Sequence, residues 1–455
     1  MKWKYDKRDF IINTSKNKEA KAGAPFVSEN KEEEMKGKRI LSLALCAAMA
    51  LPGMGVHAES EKKQLNFWVF HSDAELQFFQ DCVDQYNSEQ DEVEVVLEQI
   101  PWDDYNGTKM TTAFASGEGP DVFLVAPGLF LKYANSGVLK PLNDYIAPEV
   151  LEDFSESSIE GVSAGDDILA IPFEMELFAL YYDKAALDEA GVEVPSTWDE
   201  LYEASKALTT DSRYGFTMET VKGTHQLFEW YPFLWQTGSD VFSEDGAAAF
   251  NTEGVIENLT LKRQMFEEGY ANIKPSRGNT EVGMLCEGET AMQINGTWAI
   301  SQIEKNYPDS VENIGVAPLP VPEGGEAASV AGGWKICANA NSEYAEEAAE
   351  FAVWMFGDDP ARMEQWCTDI KFAYAPRNSI TEANEEFYNE GLKEVFTSQV
   401  LGTEAPEMRL PAEVSTILQD MLQSAYFDTS ISVEDCVTDA EAQVNDFLST
   451  YEGTL

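Results

Sequence analysis

Histidine and cysteine, the side chains most often used for catalysis and metal binding, are nearly missing from this chain: 455 residues hold three and six of them. One histidine, His57, lies in an N-terminal apolar segment. That leaves His71 and His225, too little for a Ser-His-Asp triad. No Cys-x-x-Cys occurs. Beyond Cys46 the cysteines are an odd, scattered set (Cys82, Cys286, Cys337, Cys367 and Cys436), which excludes a disulfide framework and points to buried thiols. P-loop, H-E-x-x-H and EF-hand spacings are absent, so no cofactor or metal is expected. Basic residues are also scarce, 31 against 81 acidic ones, for a net charge of −50. Such a surface repels nucleic acid and anionic lipid and favours a soluble monomer.

Long apolar runs are missing with one exception. Ile40 to Met54 is apolar but too short for a comfortable membrane span. Lys36, Lys38 and Arg39 precede it, and Val56-His57-Ala58 follows as a small-x-Ala cleavage site. Residues 35–58 read as a secretory signal peptide. Translation is expected to start at Met35, with 1–34 a disordered upstream extension. Leu45 precedes Cys46 where lipid modification needs a small residue, so there is no convincing lipobox. The exported protein is expected in the periplasm or at the extracellular face of the membrane.

What remains is an α/β pattern. Leu65 to Phe70, Val93 to Ile100 and Asp121 to Val125 read as strands. Between them lie a helix with Leu76, Phe79, Val83 and Tyr86 on one face, entered at Asp73, and a second from Tyr105 to Ser116. This is βαβαβ, hence a parallel sheet. Ligands bind such sheets beyond the strand carboxyl ends, here Phe70-His71-Ser72, Pro101-Trp102 and Ala126-Pro127-Gly128. Further strands are read at 168–172, 177–182, 291–294, 314–319 and 335–338. Thr197 and Glu200 form a capping box at the next helix start, and Ser342 is expected to cap a later one.

Two catalytic patterns are weak. Gly161-Val162-Ser163-Ala164-Gly165 matches a nucleophile elbow, but the strand-then-helix context of an elbow is missing. The paired carboxylates Glu174 and Glu176 have glycosidase chemistry, yet pairs arise by chance in so acidic a chain. Aromatics carry the positive signal. Trp102, Trp230, Trp235, Trp298 and Trp334 sit at turns, and "FEWYPFLW" (228–235) is dense in rings. Sugars have apolar C–H faces and polar rims, so they stack on flat aromatics while polar groups satisfy the hydroxyls. Trp68, Trp198, Trp354 and Trp366, inside regular patterns, read as core.

"IPFEMELFALYYDKAALDEAGVEVPSTWDEL", "GEGPDVFLV", "AMQINGTWAI" and "VAPLPVPEGGEAASVAGGWKICANANSEYAEEAAEFAVWMF" together resemble the extracellular solute-binding proteins of ABC importers, in the sugar-binding group similar to maltose-binding protein. The resemblance covers 65–455. It implies a two-lobed α/β fold of the type II periplasmic-binding-protein kind, each lobe a mixed sheet flanked by helices, joined by hinge crossings. The implied lobes are 59–172 with 316–362, and 173–315 with 363–455. It implies a carbohydrate, an oligosaccharide above all, captured in the interlobe cleft and passed to membrane permease subunits, without catalysis.

By the same resemblance, Trp298 takes the stacking position with Asn295 nearby, Glu176 with Glu174 is the crossover acid, and Glu229 and Tyr231 are an acid–aromatic pair followed by Trp235. Trp334 after Gly333 lines the cleft, His71 and Ser72 belong to the first-strand loop, and Arg377 and Arg409 are further candidates. The family's aromatic after the third strand is unmatched except by Phe130, which leaves the sugar open. A same-fold receptor for a non-sugar solute such as a polyamine, and a secreted carbohydrate-active enzyme, are the alternatives.

Overall fold

The computed structural model describes residues 62–453, Gly107 excepted. The expected extension and signal peptide lie outside the described residues. Strands β1 (Lys63–Val69), β2 (Val93–Gln99) and β3 (Val122–Val125) form the expected parallel set, with β1 central. β4 (Ser163–Ala164) and β5 (Asp167–Ile168) make a small hairpin, and β6 (Ile171–Pro172) precedes the first crossing. β7 (Phe178–Asp183), β8 (Met292–Gly296) and β9 (Ile314–Ala317) make a second sheet, followed by β10 (Ser329–Ala331), β11 (Lys335–Ala338) and β12 (Glu404–Pro406).

The first sheet has the order β2-β1-β3-β11-β6, with β11 antiparallel to both its neighbours. The second is β8-β7-β9, antiparallel throughout, with an isolated parallel bridge from Gln293 to Thr217. Each sheet has its own hydrophobic core, so the molecule has two lobes. The β7 strand shows how the second is built. Successive side chains alternate between faces of a strand. Phe178 and Leu180 enter one core with the helices on that side. Ala179 and Tyr181 enter another, with Ile300, Ile303, Phe372 and Tyr374.

Residues near the expected lobe boundaries at 316 and 362 divide between the cores. Leu319 and Val330 pack with the second lobe. Met363, Trp366, Cys367, Ala373 and Ala375 pack with the first.

The crossings are paired to one another. Glu176 N–H donates to Gly332 O at 2.8 Å and Gly332 N–H returns to Glu176 O at 2.9 Å. Met175 and Tyr374 exchange the same pair of bonds at 2.7 and 2.9 Å. Gly333 has to be glycine, since a Cβ there would overlap the Glu174 carbonyl.

Local signals explain several elements. Thr197 and Glu200 form the capping box in full. The helix Asp73–Glu89 starts one residue beyond its cap, Ser72, so Asp73 is inside it, at φ +49. Ser342 does not cap directly. Its Oγ accepts from Tyr344 N–H and the helix begins at Ala345. All five described cysteines are free thiols, four of them buried. Among the described residues no helix is long and apolar enough to cross a membrane.

Candidate functional site

The carboxyl ends of β1 and β2 carry one aromatic wall of the candidate site. Phe70 stacks on His71 with centroids 4.0 Å apart and lies 4.3 Å from Trp334 and 4.7 Å from Trp102. Trp102 is 50% exposed, while Trp334 is buried beneath it. Ser72 is exposed at the helix start, its hydroxyl donating to Asp73 at 3.2 Å. The left-handed Asp73 beside it is the one non-glycine residue of positive φ among those described. Such strain is stored where a loop is held in a set shape.

The other aromatic group belongs to the second lobe. Trp298 opens the helix Trp298–Asn306 just after β8. Its indole N–H donates to Thr280 O at 2.9 Å and its ring meets Phe178 edge-on at 5.4 Å. Gly296 makes this pose possible, because a Cβ there would overlap the ring. His225 lies 5.6 Å from Phe178 and 6.1 Å from Trp298. It sits in the first turn of Thr224–Trp235, a helix whose following residues, Gln226 to Leu234, are all buried. The lobes approach at the Pro127-Gly128 turn. A Cβ on Gly128 would stand 2.9 Å from Thr224 Cγ2 and 3.0 Å from Phe228.

A buried charged group on the crossings forms the floor of the candidate site. Lys371 pairs with Glu176 at 2.6 Å and with Glu174 at 3.2 Å, all three buried. Glu174 also accepts from Trp366 Nε1 at 2.7 Å and from the Trp334 backbone N–H at 3.3 Å. Burial raises the Glu176 carboxyl to about 7, against the pull of Lys371 and with the help of neighbouring Glu174. Lys371 is correspondingly held protonated: its burial is outweighed by Glu174 and Glu176. Burial, with Lys371 nearby, drives His71 well below its usual range, so it is neutral. His225 behaves oppositely. Burial opposes its charge, but Glu229, 3.1 Å away, and then Glu219 and Glu176 raise it.

Five of the residues expected at the site are occupied elsewhere. Asn295 is fully buried, donating to Asn279 O and accepting from Gly296 N–H. Tyr231 belongs to the second-lobe core against Phe228 and Trp235. Trp235 ends that helix, ten residues or ~15 Å of helical rise beyond His225. Phe130 is buried beneath the Arg409 guanidinium. Arg377 ties Asp153 (2.7 Å) to the Asp358 carbonyl inside the first lobe.

Glu229 is fully buried as well, receiving the Glu219 backbone N–H and the Asn279 amide, so it holds His225 rather than facing the cleft. Arg409 instead lines a cavity of about 270 Å³ beside the crossings, with Glu174, Gly333, Lys335, Glu407 and Ser158. There Lys335 and Glu407 form a buried pair at 2.8 Å, and Glu407 also accepts from Gly128 N–H.

Sequence reasoning gave no role to Lys371, Phe178 or His225, and read Trp366 as core, where it lies. Only His225 left a trace, four residues before Glu229 on one helix face. The Gly161–Gly165 pattern is inert: Ser163 opens a two-residue strand and its hydroxyl donates to Ile159 O at 2.6 Å.

The family model for bacterial extracellular solute-binding proteins matches residues 72–362. The chain belongs to this family. As a solute-binding protein it is 28% identical over 326 residues to the maltotriose-binding protein of Pyrococcus abyssi, covering 69% of this chain and 67% of that one. It is 27% identical over 350 residues to the arabinooligosaccharide-binding protein of Halalkalibacterium halodurans, covering 71% and 75%. Among solved structures, a solute-binding protein of Thermotoga lettingae bound with α-D-tagatose superimposes with a TM-score of 0.75 at 22% identity, covering 85% of this chain and all of the other. These likenesses carry the two-lobed fold.

Proposed function

We propose that this solute-binding protein captures a carbohydrate, an oligosaccharide above all, between its lobes and hands it to the permease of an ABC importer. The observation that carries this is an aromatic cluster in each lobe beside the buried Glu174–Lys371–Glu176 group. Trp102, Phe70 and Trp334 line one lobe, and Trp298, Phe178 and His225 the other. A pyranose or furanose ring has two apolar faces to stack and a hydroxyl rim for Glu176, His71 and Ser72 to meet. The two relatives named above bind oligosaccharides, which supports the same ligand class.

The floor argues against a cation. Glu174 and Glu176 are both engaged by Lys371, and Glu229 is spent on His225, Asn279 and Glu219. A polyamine would have to compete with an ammonium already in place. The same engagement argues against glycoside hydrolysis, because Glu174, sealed under Trp366, is no nucleophile. Such receptors are exported, and the protein is expected to act as a monomer in the periplasm or at the cell's outer face. A ligand closes the lobes only by binding the closed state better.

Thermal unfolding of the purified protein against oligosaccharides, with spermidine and putrescine as controls, tests the reading. A ligand at ~100 times its dissociation constant stabilises the fold by ~2.7 kcal/mol. A rise with one glycan class, the sugar being recovered intact, is expected. A flat sugar panel with a polyamine response refutes the proposal.

A further inference from the structure

Five polar atoms inside the second lobe find no hydrogen-bond partner in the protein: Gln226 Nε2, Trp230 Nε1, Asn258 Oδ1, Lys262 Nζ and Tyr426 Oη. Each of these residues is at most 2% exposed. Buried polar groups are nearly always paired, and a lysine is almost never fully buried alone. Leaving an ammonium there without a partner is costly.

The five come from three helices that pack on one another, Thr224–Trp235, Glu253–Glu267 and Ala412–Phe427. Their spacing brings them together. Gln226, Trp230 and Phe233 share one face of the first helix, and Asn258, Lys262 and Phe266 share one face of the second. Lys262 Nζ lies 3.5 Å from the centre of the Phe233 ring, so those two faces meet. Phe266 meets the Tyr426 ring at 5.7 Å, and Gln226 Oε1 accepts from Gln423 Nε2 at 3.2 Å, so the third helix closes the group.

The donor set decides the kind of ligand. Lys262, Trp230, Gln226 and Tyr426 can all donate, and Asn258 Oδ1 alone can only accept. Tyr426 keeps its proton, because burial and the charge of Glu229 both raise it. Burial pulls Lys262 down to about 7, while Glu229 pulls the other way. Glu229 is not free to pair with it: its oxygens already meet His225, Asn279 and the Glu219 N–H. Arg263, the neighbouring cation, is spent on the carbonyls of Ser424, Ala425 and Ile431. Donors gathered around one ammonium suit a single negative charge. The closed setting suits a small one, since a dianion would lose more hydration than one lysine returns.

We propose that these three helices hold a buried halide, chloride above all, on Lys262 Nζ, Trp230 Nε1, Gln226 Nε2 and Tyr426 Oη. The ion is a structural ligand of the second lobe and does not depend on the sugar-receptor reading. It steadies the helix that presents His225 beside Trp298.

The test is thermal unfolding of the purified protein at pH 6, with sodium chloride replacing sodium gluconate at constant ionic strength, repeated for Lys262→Met and Tyr426→Phe. The midpoint of the unmodified protein should rise with the logarithm of chloride, by about 5 °C at 100 times the dissociation constant. Lys262→Met should lose this dependence whatever its own midpoint, and Tyr426→Phe should need roughly tenfold more chloride. A crystal grown in sodium bromide should show anomalous scattering within hydrogen-bond reach of Lys262 Nζ, which decides the matter if Lys262→Met does not fold. A midpoint indifferent to chloride overturns the proposal. So does a dependence that survives in Lys262→Met, or bromide found only at other positions, an adventitious ion only.

Discussion

Glu176→Gln should make the protein more stable, and by an amount that depends on pH. Glu176 is buried with Glu174, and one ammonium, Lys371, serves both. Burial lifts its carboxyl from 4.5 to about 7 in the folded state. Between those values the folded chain holds a proton that the unfolded chain has lost, so stability falls as pH rises through the window. Every tenfold change in proton affinity corresponds to about 1.4 kcal/mol. Well above pH 7 the ionised Glu176 therefore costs about 3 kcal/mol, and at pH 5 less than about 1 kcal/mol. The attraction of Lys371 is already contained in the folded-state value, and the site is buried, so screening by solvent removes little. Glutamine keeps the shape, drops the charge, and leaves Lys371 to Glu174. Urea unfolding of both proteins at pH 5 and pH 8 reads the difference directly. A gain of about 3 kcal/mol at pH 8 that nearly vanishes at pH 5 is expected. An equal gain at both pH values, or a loss at pH 8, refutes the account of the floor.

Three further outcomes follow from the same geometry. Arg377→Ala strips a buried guanidinium from Asp153 and should cost about 3 kcal/mol in chemical unfolding while leaving glycan affinity unchanged; a selective affinity loss would return Arg377 to the site. Gly296→Ala pushes a methyl into the Trp298 ring, so calorimetry should show weakened binding together with a loss of about 1–3 kcal/mol of stability; intact affinity would mean the ring pose is unimportant. His225 is raised by Glu229 and its neighbours, so its charged pair stabilises fully below pH 6.5 and is lost as pH rises through the raised value. His225→Gln should therefore destabilise at pH 5.5 and be nearly neutral at pH 8.5, and thermal melts at the two pH values decide it.

Elements whose evidence is local were legible in the sequence. The first three strands, the Thr197–Glu200 capping box and the turn that delivers Trp298 are each written within ten residues or so, in alternation, cap chemistry and glycine placement. The floor was only half legible. Glu176 stood out on the crossing, but Lys371 lies far along the chain in a stretch with no pattern of its own. It meets Glu176 only because the 371–377 segment pairs with Met175 through Tyr374. Asn295 and Glu229 looked like ligand contacts because they are polar beside aromatics. In the fold they satisfy each other's neighbourhood through Asn279, inside the second lobe. Arg377 looked free in the sequence for a similar reason: its partner Asp153 is 224 residues away. Spacing reveals what one element presents, and the pairing between elements decides which polar groups remain free for a ligand.

The central claim is that a sugar sits between the two aromatic walls. Isothermal titration of the unmodified protein and of Trp298→Ala with the glycan that stabilises the fold tests it most directly. One glycan per protein is predicted, with affinity falling about thirtyfold in the variant, as expected for ~2 kcal/mol of lost stacking area. Equal affinity in the two proteins would contradict it.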